Sequence, residues 1–378
     1  MKKVVQELRR DVHILLKKMD GGFLAPTALI GFELWQEFIF VAEQHGVVYR
    51  YDLGTHTKVL FLDLRHSVIT LNEKYDERGL LDIGFHPRFA TNNLFYVYYS
   101  APPPKDGTYN NTGRLSHFRV KQFDKQGAPL RVDVEDETIV FELDEPYANH
   151  NGGKFLFDST GESLYLFTGD GGGPHTEESA SQDDQSYHGK ILHFFNDFEV
   201  PKVVAKGLRN PWGVSWWLQD HVMLVSNVGQ SAREMVYLFD VVEDVNANFG
   251  WPVYEGTLLL QADKIPSDYT RAEFIDAVHR PIVEYTRGDG QWAVVGGYRW
   301  RQSPFYVFGD YNGKIMVARE SLRKQWDFIR FEGGAHVRGF GKDAMGQIYV
   351  FVSEEQGPRA SGAMPEDLII RIDLTDNK

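Results

Sequence analysis

The chain has 378 residues, of which 42% are hydrophobic and 25% charged, so it is long enough to bury a large core. It carries 40 Lys and Arg against 53 Asp and Glu, and this net charge of −13 disfavours nucleic acid as a partner. Cysteine is absent, which excludes disulfide frameworks, cysteine nucleophiles and thiolate metal sites.

The N-terminal segment 1–20 fits two structures. Five of its apolar residues follow helical spacing: Val5, Leu8, Val12, Leu15 and Met19. The run His13-Ile14-Leu15-Leu16 is more typical of a strand, and we predict a strand from about 12 to 18 that closes a ring of sheets. Charged residues follow Lys2 and Lys3 closely, so no secretory signal is predicted and the chain as written is expected in the cytoplasm.

Six segments share one pattern, in which an apolar strand is followed by a short polar stretch and a second apolar strand. They are 38–52, 94–120, 163–195, 222–239, 305–319 and 347–372. Their mean spacing of about 62 residues exceeds the roughly 40–50 residues of familiar propeller repeats. A further short strand precedes most pairs. We therefore predict an all-β fold, a six-bladed β-propeller with four-stranded antiparallel blades, in a single domain of residues 1–378.

The residues before the first strand of each blade should meet at one mouth of the central channel. They are Asp76-Glu77-Arg78-Gly79, Asn149-His150-Asn151-Gly152-Gly153, Arg209-Asn210-Pro211, Gly296-Gly297 and His336-Val337-Arg338-Gly339. His150 is a candidate base, Arg209 and Arg338 are fixed cations, and the glycines allow a flat ligand to approach the backbone. This pattern predicts a binding mouth. His150 as a hydrogen-bonded turn residue, and Arg209 as half of a structural ion pair, remain open alternatives.

Two loops are candidate metal sites. The turn 227–234 contains Gly229 and could aim main-chain carbonyls at a hard cation such as calcium, although such turns also occur without an ion. Asp170, in the run Gly169-Asp170-Gly171-Gly172-Gly173, is typical of an oxygen-rich metal loop and equally of an ordinary turn. No glycine-rich phosphate motif opens a helix, which argues against a nucleotide cofactor. No segment approaches the roughly 18 uninterrupted apolar residues of a membrane helix, so no membrane partner is expected.

Several ordered motifs resemble the glucose/sorbosone dehydrogenase family from about Pro26 to Asp373. They are Gly79-Leu-Leu-Asp-Ile-Gly-Phe-His-Pro-Arg-Phe-Ala, His150-Asn-Gly-Gly-Lys-Phe, Thr168-Gly-Asp-Gly-Gly, His188-Gly-Lys-Ile, Gly207-Leu-Arg-Asn-Pro-Trp-Gly, Asn248-Phe-Gly-Trp-Pro-Val-Tyr-Glu-Gly and Phe308-Gly-Asp-Tyr. The resemblance implies pyrroloquinoline quinone (PQQ) lying on a calcium ion, with His150 as the base that deprotonates a sugar hydroxyl while hydride passes to the quinone.

The same resemblance implies roles for individual residues. Arg209 and Asn210 would contact the quinone oxygens, and Arg338 would pair with a cofactor carboxylate. The carbonyls of Gly229 and Gln230 would hold the calcium ion.

The chain departs from the family pattern where the three cofactor carboxylates should bind. His336 stands in place of one arginine, and Tyr311-Asn312 lie near the position of the family lysine, for which Lys314 would substitute by reaching across. Glu77 replaces a glutamine near the cofactor. Two alternatives therefore stay open: a binding module like the Hedgehog-interacting proteins, and a calcium-dependent lactonase or hydrolase that uses Glu77, Asp170 and His150. The expected partner is a small sugar or alcohol. The electron acceptor is not indicated, and family members usually work outside the cytoplasm.

Overall fold

The structure is a computed structural model that describes residues 12–19, 22–72, 75–173, 180–195, 200–288, 292–320, 326–333, 336–354 and 368–376. Parts of three predicted segments lie outside these residues: 1–11 and 20 of the N-terminal segment, 174–179 of the glycine-rich loop that carries Asp170, and 355–367 of the last strand pair. The described secondary structure is almost entirely β-strand, so the prediction of an all-β fold is confirmed.

The strands are numbered in chain order. They are β1 Val12–Lys18, β2 Pro26–Phe32, β3 Trp35–Glu43, β4 Val47–Asp52, β5 Lys58–Asp63, β6 Leu80–Phe85, β7 Leu94–Ala101, β8 Asn111–Arg119, β9 Gln122–Phe123, β10 Pro129–Arg131, β11 Glu137–Glu145, β12 Gly152–Phe157, β13 Ser163–Thr168, β14 Lys190–Phe195, β15 Lys202–Lys206, β16 Pro211–Leu218, β17 Val222–Asn227, β18 Arg233–Asp240, β19 Ala247–Asn248, β20 Tyr254–Glu255, β21 Leu258–Leu259, β22 Val283–Thr286, β23 Val294–Arg299, β24 Phe305–Asp310, β25 Lys314–Glu320, β26 Trp326–Glu332, β27 His336–Lys342, β28 Ile348–Ser353 and β29 Leu368–Asp376. The helical segments are α1 Phe89–Asn92, α2 Arg271–Ala277 and the 3₁₀ turns Val134–Asp136 and Ala262–Lys264.

The strands form antiparallel sheets in which consecutive strands are neighbours. Three sheets have the orders β6-β7-β8-β11, β16-β17-β18-β22 and β23-β24-β25-β26, and a fourth, β12-β13-β14-β15, is extended by the short β19. Eight more strands follow the order β1-β29-β28-β27-β2-β3-β4-β5, where β27 and β2 are joined by one parallel pair, Ile30 with Lys342. Strand β1 pairs with β29, so the first and last described strands lie side by side.

The second strand is buried on both faces in five of the groups, and the exception is β3, where Gln36 and Glu37 are exposed. In β13, β24 and β28 every residue is buried, and in β7 and β17 only the first residue is partly exposed. Side chains on both faces pack against neighbouring sheets, which is why these segments read as continuous apolar runs and not as alternating patterns. Each of the six predicted strand pairs corresponds to two hydrogen-bonded antiparallel strands.

The first strands of the groups contact one another in a closed order: β2, β6, β12, β16, β23, β27 and back to β2. Glycines permit this close approach. A Cβ added to Gly213 of β16 would lie 2.4 Å from Cα of Gly296 in β23, which no side chain could accommodate. Gly296 and Gly297, expected before their strand, lie inside β23, because the glycines are needed where strands touch. No helix in the described residues is long and apolar enough to span a membrane.

Candidate functional site

A cavity of about 490 Å³ lies at the end of this ring where the inner strands begin. Such a volume is typical of small-molecule sites. Residues far apart in the chain meet there, because each inner strand starts at the same end. The sequence-predicted residues in its walls are Glu77, His150, Arg209, Asn210, Gly229, Gln230 and Arg338.

His150 occupies a sharply turned segment that leads into β12. Its φ is 57°, and Gly152 and Gly153 follow with φ of 66° and 94°. A Cβ on Gly153 would lie 2.2 Å from Cδ1 of Tyr98, so the turn requires glycine at that position. This backbone directs the N–H of His150 to Oε2 of Glu77 at 2.8 Å and leaves the residue only 7% exposed at the cavity wall.

The imidazole of His150 is held by the carboxylate of Asp170. Nδ1 lies 2.9 Å from Oδ1 of Asp170, whose oxygens also accept from the N–H of Gly172 at 2.9 Å and from Nε1 of Trp251 at 2.8 Å. Burial alone would raise the pKa of Asp170, but the hydrogen bond from His150 and the nearby charge of Arg209 lower the pKa below its usual value. An ionised Asp170 makes Nδ1 the protonated nitrogen, so Nε2 is the free proton acceptor.

Arg209 lies beside this pair with part of its guanidinium unused. Nη1 donates to the carbonyls of Gly229 at 2.8 Å and Val228 at 3.3 Å, and the indole of Trp251 lies 5.4 Å from the guanidinium carbon. Nε is buried without a hydrogen-bond partner, and no carboxylate among the described residues forms an ion pair with Arg209. Burial lowers the pKa of the guanidinium. Nε and Nη2 of Arg209 thus make no hydrogen bond to any described residue.

Glu77 lies in the turn before β6, and its side chain hydrogen-bonds to residues that precede β12 and β16. Its Oε2 accepts from the N–H of His150 and from Nδ2 of Asn210 at 3.1 Å, while Oε1 accepts from the hydroxyl of Tyr75 at 2.6 Å. Oδ1 of Asn210 is buried and has no hydrogen-bond partner. The amide that should donate to a quinone is thus already donating to a carboxylate, and the amide oxygen is left as an unused acceptor.

The turn between β17 and β18 holds the two carbonyls predicted to bind calcium. The carboxylate of Glu255 accepts from the N–H groups of Ser231 at 2.8 Å and Ala232 at 3.2 Å, which fixes the turn. The carbonyl of Gly229 accepts from Arg209, and the carbonyl of Gln230 accepts from Nη1 of Arg287.

Arg287 is in turn anchored by Glu234. Its Nε lies 2.8 Å from Oε1 of Glu234, whose other oxygen accepts from the N–H groups of Gly229 at 3.3 Å and Val294 at 3.0 Å. Burial raises the pKa of Glu234 to about 7, against the opposing charge of Arg287. Each predicted calcium ligand is thus paired with a guanidinium.

The residues present do not fit a calcium ion with a bound quinone. A cation at these carbonyls would face two guanidiniums, and each unit charge about 4 Å away costs about 4 kcal/mol near a protein surface. Oε2 of Glu77 also accepts from Nδ2 of Asn210, the amide that the family resemblance assigns to the quinone oxygens. Within the described ranges, no group of three or more His, Asp and Glu side chains is arranged to hold a metal.

Of the other predicted site residues, Arg338 lines the cavity, whereas His336, Lys314 and Asp170 do not. Arg338 reaches the cavity, where its Nη2 donates to Oε1 of Gln44 at 2.6 Å. His336 is not in the cavity wall; it stacks on Tyr311, with ring centroids 4.8 Å apart. Lys314 pairs with Glu332 on neighbouring strands and does not line the cavity. Asp170, predicted as a metal ligand, orients His150 and is not in the wall either.

Arg287 is the main site residue that the sequence did not reveal. It follows β22 in an ordinary Thr-Arg-Gly stretch and is 57 residues from Gln230, so no local pattern links the two. Trp251, which bonds Asp170, lies inside the motif 248–256 that carried the family resemblance. The family motif therefore pointed to the segment that contains Trp251, but it did not predict the hydrogen bond from Nε1 of Trp251 to Asp170.

A model of the family described as Glucose / Sorbosone dehydrogenase matches residues 34–359. The chain belongs to this family. The family predicted from the sequence motifs is thereby confirmed.

Relatives of the chain include Hedgehog-interacting protein of Mus musculus, 24% identical over 92% of this chain and 51% of the relative. HIPL2 protein of Arabidopsis thaliana is 24% identical over 66% of this chain and 45% of that protein. The chain spans about half the length of these curated relatives.

The fold is similar to those of solved sugar dehydrogenases. The PQQ-bound aldose sugar dehydrogenase of Streptomyces coelicolor has a TM-score of 0.68 at 19% identity, covering 96% of this chain and 98% of that one. The apo-form of the soluble aldose sugar dehydrogenase of Escherichia coli has a TM-score of 0.70 at 16% identity, with 96% and 99% covered. At these identities the likeness shows the fold, a β-propeller, and does not extend to activity.

Proposed function

We propose that the cavity binds a small hydroxylated molecule, a sugar or a related alcohol, and that His150 accepts a proton from one of its hydroxyl groups. The observation that carries the proposal is the hydrogen bond to Asp170 from Nδ1 of His150, a residue of the cavity wall. The hydroxyl proton moves to Nε2 as the hydrogen on the same carbon leaves with its electron pair to a hydride acceptor, so that a carbonyl forms, and Asp170 stabilises the resulting imidazolium. Membership of a sugar dehydrogenase family supports a sugar as the substrate class.

The proposal includes the finer architecture. The six four-stranded groups, with β1 completing the group of β27, β28 and β29, are taken as the six blades of one propeller domain that spans residues 1–378. The closed order of contacts among the six inner strands supports this arrangement. It accounts for a single mouth to which all blades contribute.

The quinone-dependent, calcium-requiring oxidation implied by the family motifs is a second candidate. His150, Arg209, Asn210 and Arg338 in one cavity favour it. It requires Arg287 to leave the carbonyl of Gln230 and calcium to replace it, so we rank it below the first proposal.

A role as a binding module without chemistry is the third candidate, and it is supported by the relatives named Hedgehog-interacting protein. This third candidate gives no role to the hydrogen bond between His150 and Asp170, so we rank it last.

Calorimetric titration of chelator-treated protein with a panel of aldoses, polyols and their oxidised acids tests the first proposal. At least one compound should bind, and His150→Ala should weaken it about 3- to 10-fold because one hydrogen bond is lost. His221→Ala, a change at an exposed turn, is the matched control. Absence of binding by every compound would refute the proposal. A PQQ titration with and without calcium, run in parallel, tests the second candidate.

A further inference from the structure

We infer that the ligand is an anion, a hydroxylated carboxylic acid of the sugar-acid type, whose carboxylate binds the free edge of Arg209 without a metal ion. This inference rests on the proposed function and names its substrate class. It begins from the pairing of charges around the cavity. Arg78 pairs with Asp76 at 2.7 Å and Arg287 with Glu234 at 2.8 Å, whereas Arg209 has no ion-pair partner among the described residues.

The charges of Asp170, Glu77 and Glu234 act on Arg209 from beyond ion-pair distance, and a ligand carboxylate would supply the directly bonded counter-ion that this buried guanidinium lacks among the described residues. Arg209 has one edge left for this purpose. Nη1 is used by the carbonyls of Val228 and Gly229, while Nε is buried without a partner and Nη2 makes no hydrogen bond to any described residue. Two parallel N–H groups on one edge match the two oxygens of a carboxylate. The nearby Trp251 ring helps to fix the guanidinium plane.

Two acceptor atoms near Arg209 are suited to hydroxyl groups of the ligand. Oδ1 of Asn210 is buried and unbonded, so it lacks a donor that a ligand hydroxyl would provide. Nε2 of His150 is the second acceptor in the same wall, because Nδ1 is bonded to Asp170. The guanidinium edge of Arg209 would donate to a ligand carboxylate, and Oδ1 of Asn210 and Nε2 of His150 would accept from ligand hydroxyls. A molecule that carries both a carboxylate and hydroxyls fits these groups.

Metal-free binding follows from Arg209 and Arg287, which donate to the carbonyls of the turn between β17 and β18. The carbonyls that would hold calcium accept from Arg209 and Arg287, so fixed cations already supply positive charge there. Lys154 and Arg338 also line the cavity, against Asp76 and Glu77. Asp76 is paired with Arg78, and Glu77 accepts three hydrogen bonds, which reduces its repulsion of an anion.

The test compares glucuronate with glucuronamide, its uncharged analogue, and gluconate with gluconamide, by calorimetry in the presence of a chelator. Wild-type protein should bind the acids about 10- to 100-fold more tightly than their neutral counterparts, and added salt should weaken only the acids. Arg209→Gln should abolish the preference, and Arg209→Lys should retain part of it because the charge remains but the fork is lost. Arg88→Gln, at an exposed site in the turn leading into α1, is the matched control.

Equal binding of acid and amide by the wild-type protein would overturn the inference and leave the proposed function standing. Binding of the acids only when calcium is added would also overturn it. Failure of all four compounds and of the wider sugar panel would overturn the proposed function and the inference together. The wild-type comparison of acid with amide does not depend on any variant folding.

Discussion

At the scale of single residues, the site depends on a few hydrogen bonds between buried polar groups. Asp170 is the clearest case, because its carboxylate accepts from an imidazole, an indole and a backbone N–H. Each of these hydrogen bonds would weaken if the charge were removed. The pKa of Asp170 is lowered because His150 and Arg209 favour the ionised form.

Asp170→Asn should therefore destabilise the protein in a pH-dependent way. A carboxyl whose pKa is lowered in the folded state stabilises the fold above its ordinary pKa of 3.8, and that contribution is lost as the pH falls below it. We expect a loss of about 1.5–3 kcal/mol near neutral pH that shrinks below pH 3.8. Urea unfolding of both proteins across this range measures it, with the exposed Asp263→Asn as control. A loss independent of pH would contradict the assignment.

Gly229→Ala should disrupt the turn that carries the two carbonyls. An added Cβ would lie 1.8 Å from the carbonyl oxygen of Arg233 and 2.6 Å from Oε1 of Glu255, so the backbone would have to move. We expect a loss of about 1–3 kcal/mol in urea unfolding. Gly54→Ala is the control, because its φ lies outside the left-handed region and the nearest atom to its added Cβ is Oδ1 of Asp52 at 3.4 Å. Equal effects of the two changes would show that the turn is not closely packed.

At the scale of elements, the structure is organised by strands that are buried on both faces and by inner strands that converge on one mouth. The six strand pairs could be predicted because burial on both faces leaves long apolar runs in the sequence. The position of His336 could not, because it depends on where β27 begins relative to its neighbours. Contacts such as Arg287 with Gln230 join separate sheets, and no periodicity in either segment encodes them.

The strand β1 provides a prediction at this scale. It pairs with β29 over seven residues, and Ile14 packs against the cluster that contains Ile370, Ile372 and Leu374. Removal of residues 1–19 should expose this edge and lower the unfolding free energy by at least about 2 kcal/mol, the burial energy of one isoleucine. Removal of 1–11 alone is the control. Equal urea midpoints for the two truncated proteins would contradict the pairing.

At the scale of the whole molecule, a family fold is combined with a mouth whose charges are arranged differently from the family pattern. Motifs predicted the fold and placed seven site residues in one cavity. They did not predict that guanidiniums would occupy the calcium carbonyls, because the second arginine comes from a segment outside every motif. The consequence is a chain that should not need a divalent cation for stability.

Calcium should therefore leave the melting temperature of the wild-type protein unchanged, and a chelator should do the same. The double variant Glu77→Gln with Arg287→Ala frees the carbonyl of Gln230 and restores the glutamine of the family pattern. We expect it to gain a calcium-dependent rise in melting temperature that scales with calcium concentration. The single variant Glu77→Gln, which retains Arg287, should not gain it. A calcium response in the wild-type protein would contradict this account.

The most direct test of the central claim, that the mouth is complete without a metal, is a crystal structure grown in millimolar calcium with PQQ. We predict that Nη1 of Arg209 and Nη1 of Arg287 stay on the carbonyls of Gly229 and Gln230, with no calcium ion between them. A calcium ion bound to both carbonyls, with the quinone lying over it, would contradict the claim and establish the family cofactor in this chain.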